Sequence, residues 1–199
     1  MPDRLASAVL GCPLGLEGFS GLALSLGLAS PGGLEVGGGT GRYLPYESLV
    51  ARAAAAEGLD QAAAQRLTQA YGQLRPWPEA PRVLAAIAAA MPIGTVTNCS
   101  DELRRQAAGL VGVPFEVTVT AQSAGAYKPQ PEPYRRALDA LALPAERVLF
   151  VAGSPYDISG AGQLGMDVWW HNRAGMPARP GSRPVAEHRS LGPLPAFAC

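Results

Sequence analysis

Residues Val148 to Met166, VLFVAGSPYDISGAGQLGM, hold a buried strand, a tight loop bearing Ser154 and Asp157, and a helix closed by Gly165. Val148, Leu149, Phe150 and Val151 form an apolar run too short for a helix and too continuous for a half-wet strand, so it belongs in a sheet covered on both sides. In open α/β sheets, ligands sit outside the carboxyl ends of the strands. Asp157, just after such a strand, is a site candidate. Asp is also a favoured N-cap residue, so at this point a capping role for Asp157 stays equally open.

The chain around this stretch alternates. Ile93 to Thr97, Phe115 to Thr120 and Asp167 to Trp170 read as further strands. Between them lie a helix capped by Ser100 with Asp101 and Glu102 in its first turn, one from Glu132 with Tyr134, Leu138 and Leu141, and one from Asp157. Such alternation predicts a parallel sheet with right-handed crossovers. Upstream, Pro45 starts a helix with Leu49, Val50, Ala53 and Ala54 on one face, and Gly58 stops it. Asp60 caps a second helix carrying Leu67, Ala70, Tyr71 and Leu74, which ends at Pro76 and Pro78. The two predict an antiparallel helix pair. A third helix from Glu79 turns Val83, Leu84, Ile87 and Met91 toward a core. Tyr71 and Trp77 suit either a core or a pocket wall, with core the commoner use of aromatics at helix ends. The tail from Pro177 is rich in Pro, Gly and Arg; it is expected on the surface, docked through Leu191, Leu194 and Phe197.

Ala6 to Gly41 is different. It is dominated by Gly, Leu, Ala and Ser, with little charge and no sustained period. Its run VGGGTGR is no phosphate loop: Arg42 stands where G-x-G-x-x-G needs a third glycine, and no P-loop lysine follows.

At 199 residues the chain is one domain or a domain with a modest insertion, and such a chain buries about 70% of its unfolded surface. Formal net charge is zero, 16% of residues are charged and no basic stripe is present, so nucleic acid and anionic membrane are not expected partners. Cys12, Cys99 and Cys199 lie far apart without a C-x-x-C pair, which points away from disulfides and zinc and toward a reducing cytoplasm. Apolar runs break before about eighteen residues, so no membrane span is expected. Leu5 to Leu10, behind Asp3 and Arg4, is a poor signal peptide.

At the carboxyl ends of the strands stand Thr97 and Asn98, then Lys128 within AYKPQPEPY, then Ser154 and Asp157. Singly, Thr97 reads as a cap, Asn98 as a turn residue and Lys128 as a solvated lysine. Together, a hydroxyl, an amide, a cation and an acid on one rim are equipment for holding an anionic group, with Asp157 orienting Lys128.

The order and spacing of AYGQLRPWPEAPRVLAAI, GTVTNCSDEL, AYKPQPEPYRRAL and VLFVAGSPYDISGAGQLGM, followed by WWHNRAGM, resemble the haloacid dehalogenase-like hydrolases, most of all the 2-haloacid dehalogenase type. The resemblance covers Gly41 to about Met176. It implies an α/β fold, a Rossmann-like parallel sheet with helices on both faces and a small helical cap. Residues 1–41 would be an aberrant N-terminal segment of the core, 42–75 the cap and 76–199 the core. It implies that Thr97 is the hydroxyl of the second motif with Asn98 beside it, Lys128 the lysine of the third, Tyr134 a substrate-pocket residue and Asp157, with Ser154 in its loop, the acid of the fourth. An aspartate would displace halide from the carbon next to a carboxylate, leaving an ester that water opens. The partner would be a small anionic substrate, with no metal or other cofactor and a homodimer as assembly. The alternatives are a phosphatase of the same superfamily, needing Mg²⁺, and a catalytically silent relative that binds a small anion or a partner.

The departures carry equal weight. Relatives attack with an aspartate in D-x-D/Y-G-T after a central apolar strand, and no such motif is present; Asp3 and Glu35 have the wrong surroundings. The tryptophan-arginine stretch that grips the substrate carboxylate is absent too, and Gly153 stands where phosphatases carry an acid. Three readings stay open: a frameshift or wrong start in the first 40 residues, a genuine non-catalytic relative, or a replacement in Leu5 to Leu14 with Cys12 as nucleophile, for which no activating base is evident. The expectation is weak or no turnover. Without a central strand from residues 1–41, the sheet would be split between the strands ending at Thr97 and Gly153.

Overall fold

The computed structural model describes residues 5–11, 43–73 and 75–199. Cys12, Glu35 and Arg42, the run VGGGTGR, Asp3 and Leu74 lie outside the described residues. Strand β1 (Ser7–Leu10) opens the described fold. Helices α1 (Tyr46–Ala56) and α2 (Gln61–Gln69) form the hairpin, with Asp60 capping α2 by accepting from the Ala63 amide. There follow α3 (Ala80–Ala90), β2 (Ile93–Thr97), α4 (Asp101–Val111), β3 (Val117–Thr120), the single turn α5 (Ala121–Ala124), α6 (Pro131–Leu141), β4 (Val148–Ala152), α7 (Pro155–Gly162), β5 (Asp167–His171), β6 (Ala186–His188) and α8 (Leu194–Ala198).

The six strands form one parallel sheet in the order β3-β2-β1-β4-β5-β6. Strand β1 fills the central slot, with Ala8 opposite Ile93 and Ser7 opposite Val148, so the sheet has no split there. Four residues suffice because SAVL is buried on both faces. The sheet's alternation sorts side chains into two cores. Ala8, Leu10, Leu149, Val151 and Trp169 meet Val83, Leu84 and Ile87 of α3 on one face. Val9, Val96, Phe150, Val168 and Trp170 meet Tyr134, Ala137, Ile158 and Ala161 of α6 and α7 on the other. A third cluster seats α1 on the core rim, joining Tyr46, Leu49 and Val50 to Cys99, Leu103, Ala121 and Tyr127. No helix among the described residues is long and apolar enough to cross a membrane.

Several details differ from expectation. Strand β3 starts at Val117 rather than Phe115, and β5 runs on to His171. Strand β6 was unforeseen: three residues in an Arg- and Pro-rich tail carry too weak an apolar pattern. Leu191 and Leu194 dock the tail, whereas Phe197 is 38% exposed and does not. The N-cap of α7 is Ser154, whose Oγ accepts from the Tyr156 amide; Asp157 lies inside the first turn and is free of capping duty.

The tail is pinned to the start of α3 by a polar cluster. Glu79 Oε1 accepts from Arg173 Nη1 at 2.6 Å, from Ser190 Oγ at 3.0 Å and from the Leu191 amide. The Arg173 guanidinium lies 3.9 Å from the centre of the Trp77 ring, and His171 meets the same ring edge-on at 6.4 Å. Trp77 is thus a packing residue between strand and tail. Burial pushes the Glu79 carboxyl upward, but hydrogen bonds from the main chain, Arg173 and Ser190 outweigh it and hold the group at about 2. Burial, reinforced by Arg173, holds His171 at about 4. Both shifts are downward, so each group's unfolded form takes up protons first as the solution is acidified. Stability is therefore expected to fall from near pH 6.5 toward 4 through His171 and again from near 4.5 toward 2 through Glu79. Urea unfolding across that range should show His171→Phe flattening the upper window and Glu79→Gln the lower, each by about 1–2 kcal/mol.

Candidate functional site

Lys128 is the organising side chain. It follows β3 on the turn Gly125–Gln130, where Gln130 N donates to Tyr127 O at 2.9 Å, and its peptide bond to Pro129 is cis. Asn98, just after β2, grips this turn twice: its Oδ1 accepts from Lys128 N at 2.8 Å and its Nδ2 donates to Lys128 O at 3.1 Å. The side chain, 5% exposed, crosses beneath the rim to the centre of the sheet. There Nζ donates to the Gly11 carbonyl at the end of β1 and to Asp157 Oδ2 at 3.0 Å, over the Phe150 ring.

Asp157 is 4% exposed and accepts at both oxygens, Oδ1 taking the Tyr134 hydroxyl at 2.8 Å. Tyr134, from α6, has no exposed surface, so its hydroxyl is committed to Asp157 and burial beside that carboxylate drives the phenol pKa far upward. An ionised acid in so dry a place needs this full set of partners, since an unpaired buried charge is far costlier than a paired one.

The rim therefore sorts the expected residues. Lys128 and Asp157 are joined directly, with Tyr134 behind Asp157 and Asn98 behind Lys128. Thr97 stands apart, its Oγ1 donating to Cys99 Sγ at 3.3 Å, and Ser154 is engaged as the α7 cap. Two glycines were missed. A Cβ at Gly11 would lie 2.8 Å from Phe150 Cε1 and 2.9 Å from Asp157 Oδ2, and one at Gly160 would lie 2.5 Å from Tyr134 Oη. Gly160 carried a legible signal, a glycine inside a helical pattern, which often marks close approach; Gly11, in the featureless N-terminal stretch, carried none.

What this arrangement can do follows from its inventory. A lysine ammonium has three donors, and among the described residues two acceptors are supplied. Among the described residues the third donor meets no acceptor and suits an anionic ligand. A divalent cation suits the site poorly: Asp157 has both oxygens engaged, Gly153 offers no side chain, and among the described residues no three His, Cys, Asp or Glu side chains cluster as ligands.

Comparison with known proteins agrees in kind. The hydrolase family described as haloacid dehalogenase-like hydrolase matches residues 39–165. The haloacetate dehalogenase H-2 of Moraxella sp. (strain B) is 34% identical over 144 residues, 68% of this chain and 64% of that protein. The (S)-2-haloacid dehalogenase H-109 of Pseudomonas putida is 30% identical over 139 residues, 68% of this chain and 62% of that protein. The chain thus spans slightly under two thirds of these relatives. A dehalogenase crystal structure superposes with TM-score 0.82 at 22% identity, covering 99% of this chain and 98% of that one. The L-2-haloacid dehalogenase of Xanthobacter autotrophicus with chloropropionic acid covalently bound superposes at 0.78 with 21% identity, covering 97% and 98%. These likenesses establish a shared fold.

Tyr134→Phe should strand Asp157 Oδ1 and cost about 1–3 kcal/mol in urea unfolding. Gly160→Ala should cost a similar amount, and the double variant less than the sum, because both disturb one contact.

Proposed function

The chain belongs to the haloacid dehalogenase-like hydrolases, and we propose that its site serves the chemistry of the 2-haloacid dehalogenases, taking a small 2-halogenated carboxylate. The observation that carries this reading is the buried Lys128, aimed by Asp157 and Asn98 at the carboxyl end of the central strand, with two of its three donors taken up among the described residues. The names of the relatives, a haloacetate and a 2-haloacid dehalogenase, support the substrate class.

In this scheme an enzyme carboxylate oxygen forms a bond to the halogen-bearing carbon, halide leaves with the bonding pair, and water opens the resulting ester to a 2-hydroxy acid. Lys128 stabilises the negative charge, Asp157 keeps Lys128 aimed, Tyr134 fixes Asp157, and Thr97 supplies a hydroxyl at the rim. The hairpin α1–α2, within residues 42–75, acts as the cap over the core formed by 76–199 and β1. A homodimer in the reducing cytoplasm is part of the same proposal.

The attacking aspartate is the missing part. After Leu10 the sequence reads Gly11, Cys12, Pro13, Leu14, and between Gly11 and Arg42 the acids are Glu17 and Glu35. Gly11 cannot simply be replaced, since its Cβ position is filled by Phe150 and Asp157. The chain is accordingly proposed to bind a 2-haloacid and turn it over weakly or not at all.

The test is titration of the 199-residue protein with 2-chloropropionate by NMR, together with a halide-release assay. Millimolar binding is expected, lost in Lys128→Met/Asp157→Asn, which removes the cation without stranding the acid. Binding that survives in the double variant would overturn the reading, and rapid halide release by the unaltered chain would overturn the expectation of weak or no turnover. Gly11→Asp should release no halide and should lower stability by about 1–3 kcal/mol in thermal unfolding.

A further inference from the structure

The turn that carries Lys128 is held from two sides, and one side belongs to the helical hairpin. Tyr127 is 7% exposed; its Oη donates to the Leu44 carbonyl at 2.7 Å, and its ring stacks on Tyr43 with centroids 5.4 Å apart and planes inclined by 21°. Tyr127 also lies within the apolar cluster that seats Tyr46, Leu49 and Val50 on the core. A second tie secures the same segment, where Ser100 Oγ donates to Glu47 Oε1 at 2.5 Å. On the other side of the turn, Asn98 holds the main chain of Lys128. Tyr127 and Lys128 share one planar peptide unit with Cα atoms about 3.8 Å apart, so displacement of the first is carried to the second.

We propose that Tyr127 is a positioning residue through which seating of segment 43–47 on the core sets the placement of Lys128. The inference rests on the reading of Lys128 as the group that meets the substrate anion. It adds that a displaced hairpin leaves that cation misaimed, so that anion affinity and hairpin docking rise and fall together. The reporter is the Lys128 amide, which donates to Asn98 and does not touch the hairpin.

Amide hydrogen exchange on the full chain tests this with Tyr127→Phe, which removes the bond to Leu44, and with Tyr43→Ala, which removes the stack from the hairpin side and leaves the turn's own sequence intact. Both should speed exchange of the Lys128 amide roughly three- to tenfold, the equivalent of one hydrogen bond. Both should also weaken binding of 2-chloropropionate by a similar factor. If the amides of α1 exchange faster while the Lys128 amide keeps its protection, Tyr127 merely fastens the hairpin and the proposal is overturned. Unchanged exchange throughout overturns it as well. Should Tyr127→Phe fail to fold, Tyr43→Ala decides alone. Absence of 2-chloropropionate binding in the unaltered chain would sink the substrate reading, while the exchange data would still decide the coupling.

Discussion

The ion pair between Lys128 and Asp157 is the contact on which the site's architecture depends. Two charges beneath the surface lose their hydration, and their mutual attraction offsets that loss only when every remaining lone pair and proton nearby is well placed. The surrounding structure meets this demand element by element. Strand β1 ends where the Gly11 carbonyl can take one lysine proton, and α6 delivers the Tyr134 hydroxyl to the far oxygen of Asp157. Helix α7 lets Tyr134 in by having Gly160 there, and Asn98 fixes the turn from which the lysine departs. Deleting one partner therefore leaves a defect in several elements at once.

The pair also explains how roles divide along the rim. Residues grouped by sequence as one anion-binding set separate into a buried pair, Lys128 and Asp157, with Asn98 as its support, and two groups with local hydrogen bonds, Thr97 and Ser154; Tyr134, expected in the substrate pocket, backs Asp157. Sequence spacing brings side chains to a common edge, but hydrogen-bond partners decide which of them remain available to a ligand. Asn98 shows this well: an amide expected to face the substrate has one donor and one acceptor position committed to the main chain of Lys128.

Much of the fold was legible because its signals are local. The continuous apolar run at Val148–Val151, the cap at Ser100 and the break at Gly58 depend on short windows, and the elements built from them stand close to where the windows place them, whereas α2, expected to run up to Pro76, ends at Gln69 and gives way to a 3-10 turn over Ala70–Gln73. Strand β1 was harder. SAVL is four residues in a stretch without periodicity, and it becomes a strand because β2 and β4 present ladder edges on both sides. Close approaches were the least legible. That Gly11 and Gly160 must lack side chains depends on Phe150, Asp157 and Tyr134, residues remote in sequence. Of the two readings that the sequence left for Asp157, the capping one is removed because Ser154 takes the cap itself.

The central position of β1 bears on how the chain reaches its fold. Ser7 and its ladder partner Val148 lie 141 residues apart in the sequence, so β1 is made well before the strand that closes on it. Until then the edge of β1 that β4 covers has no permanent neighbour, even where β1 already lies beside β2. Closing so long a loop has an entropic cost that local helices do not bear, so the ladder at the heart of the sheet should form late. Strand β1 is thus the keystone of assembly: the sheet becomes continuous only when the open edge of β1 is closed by β4.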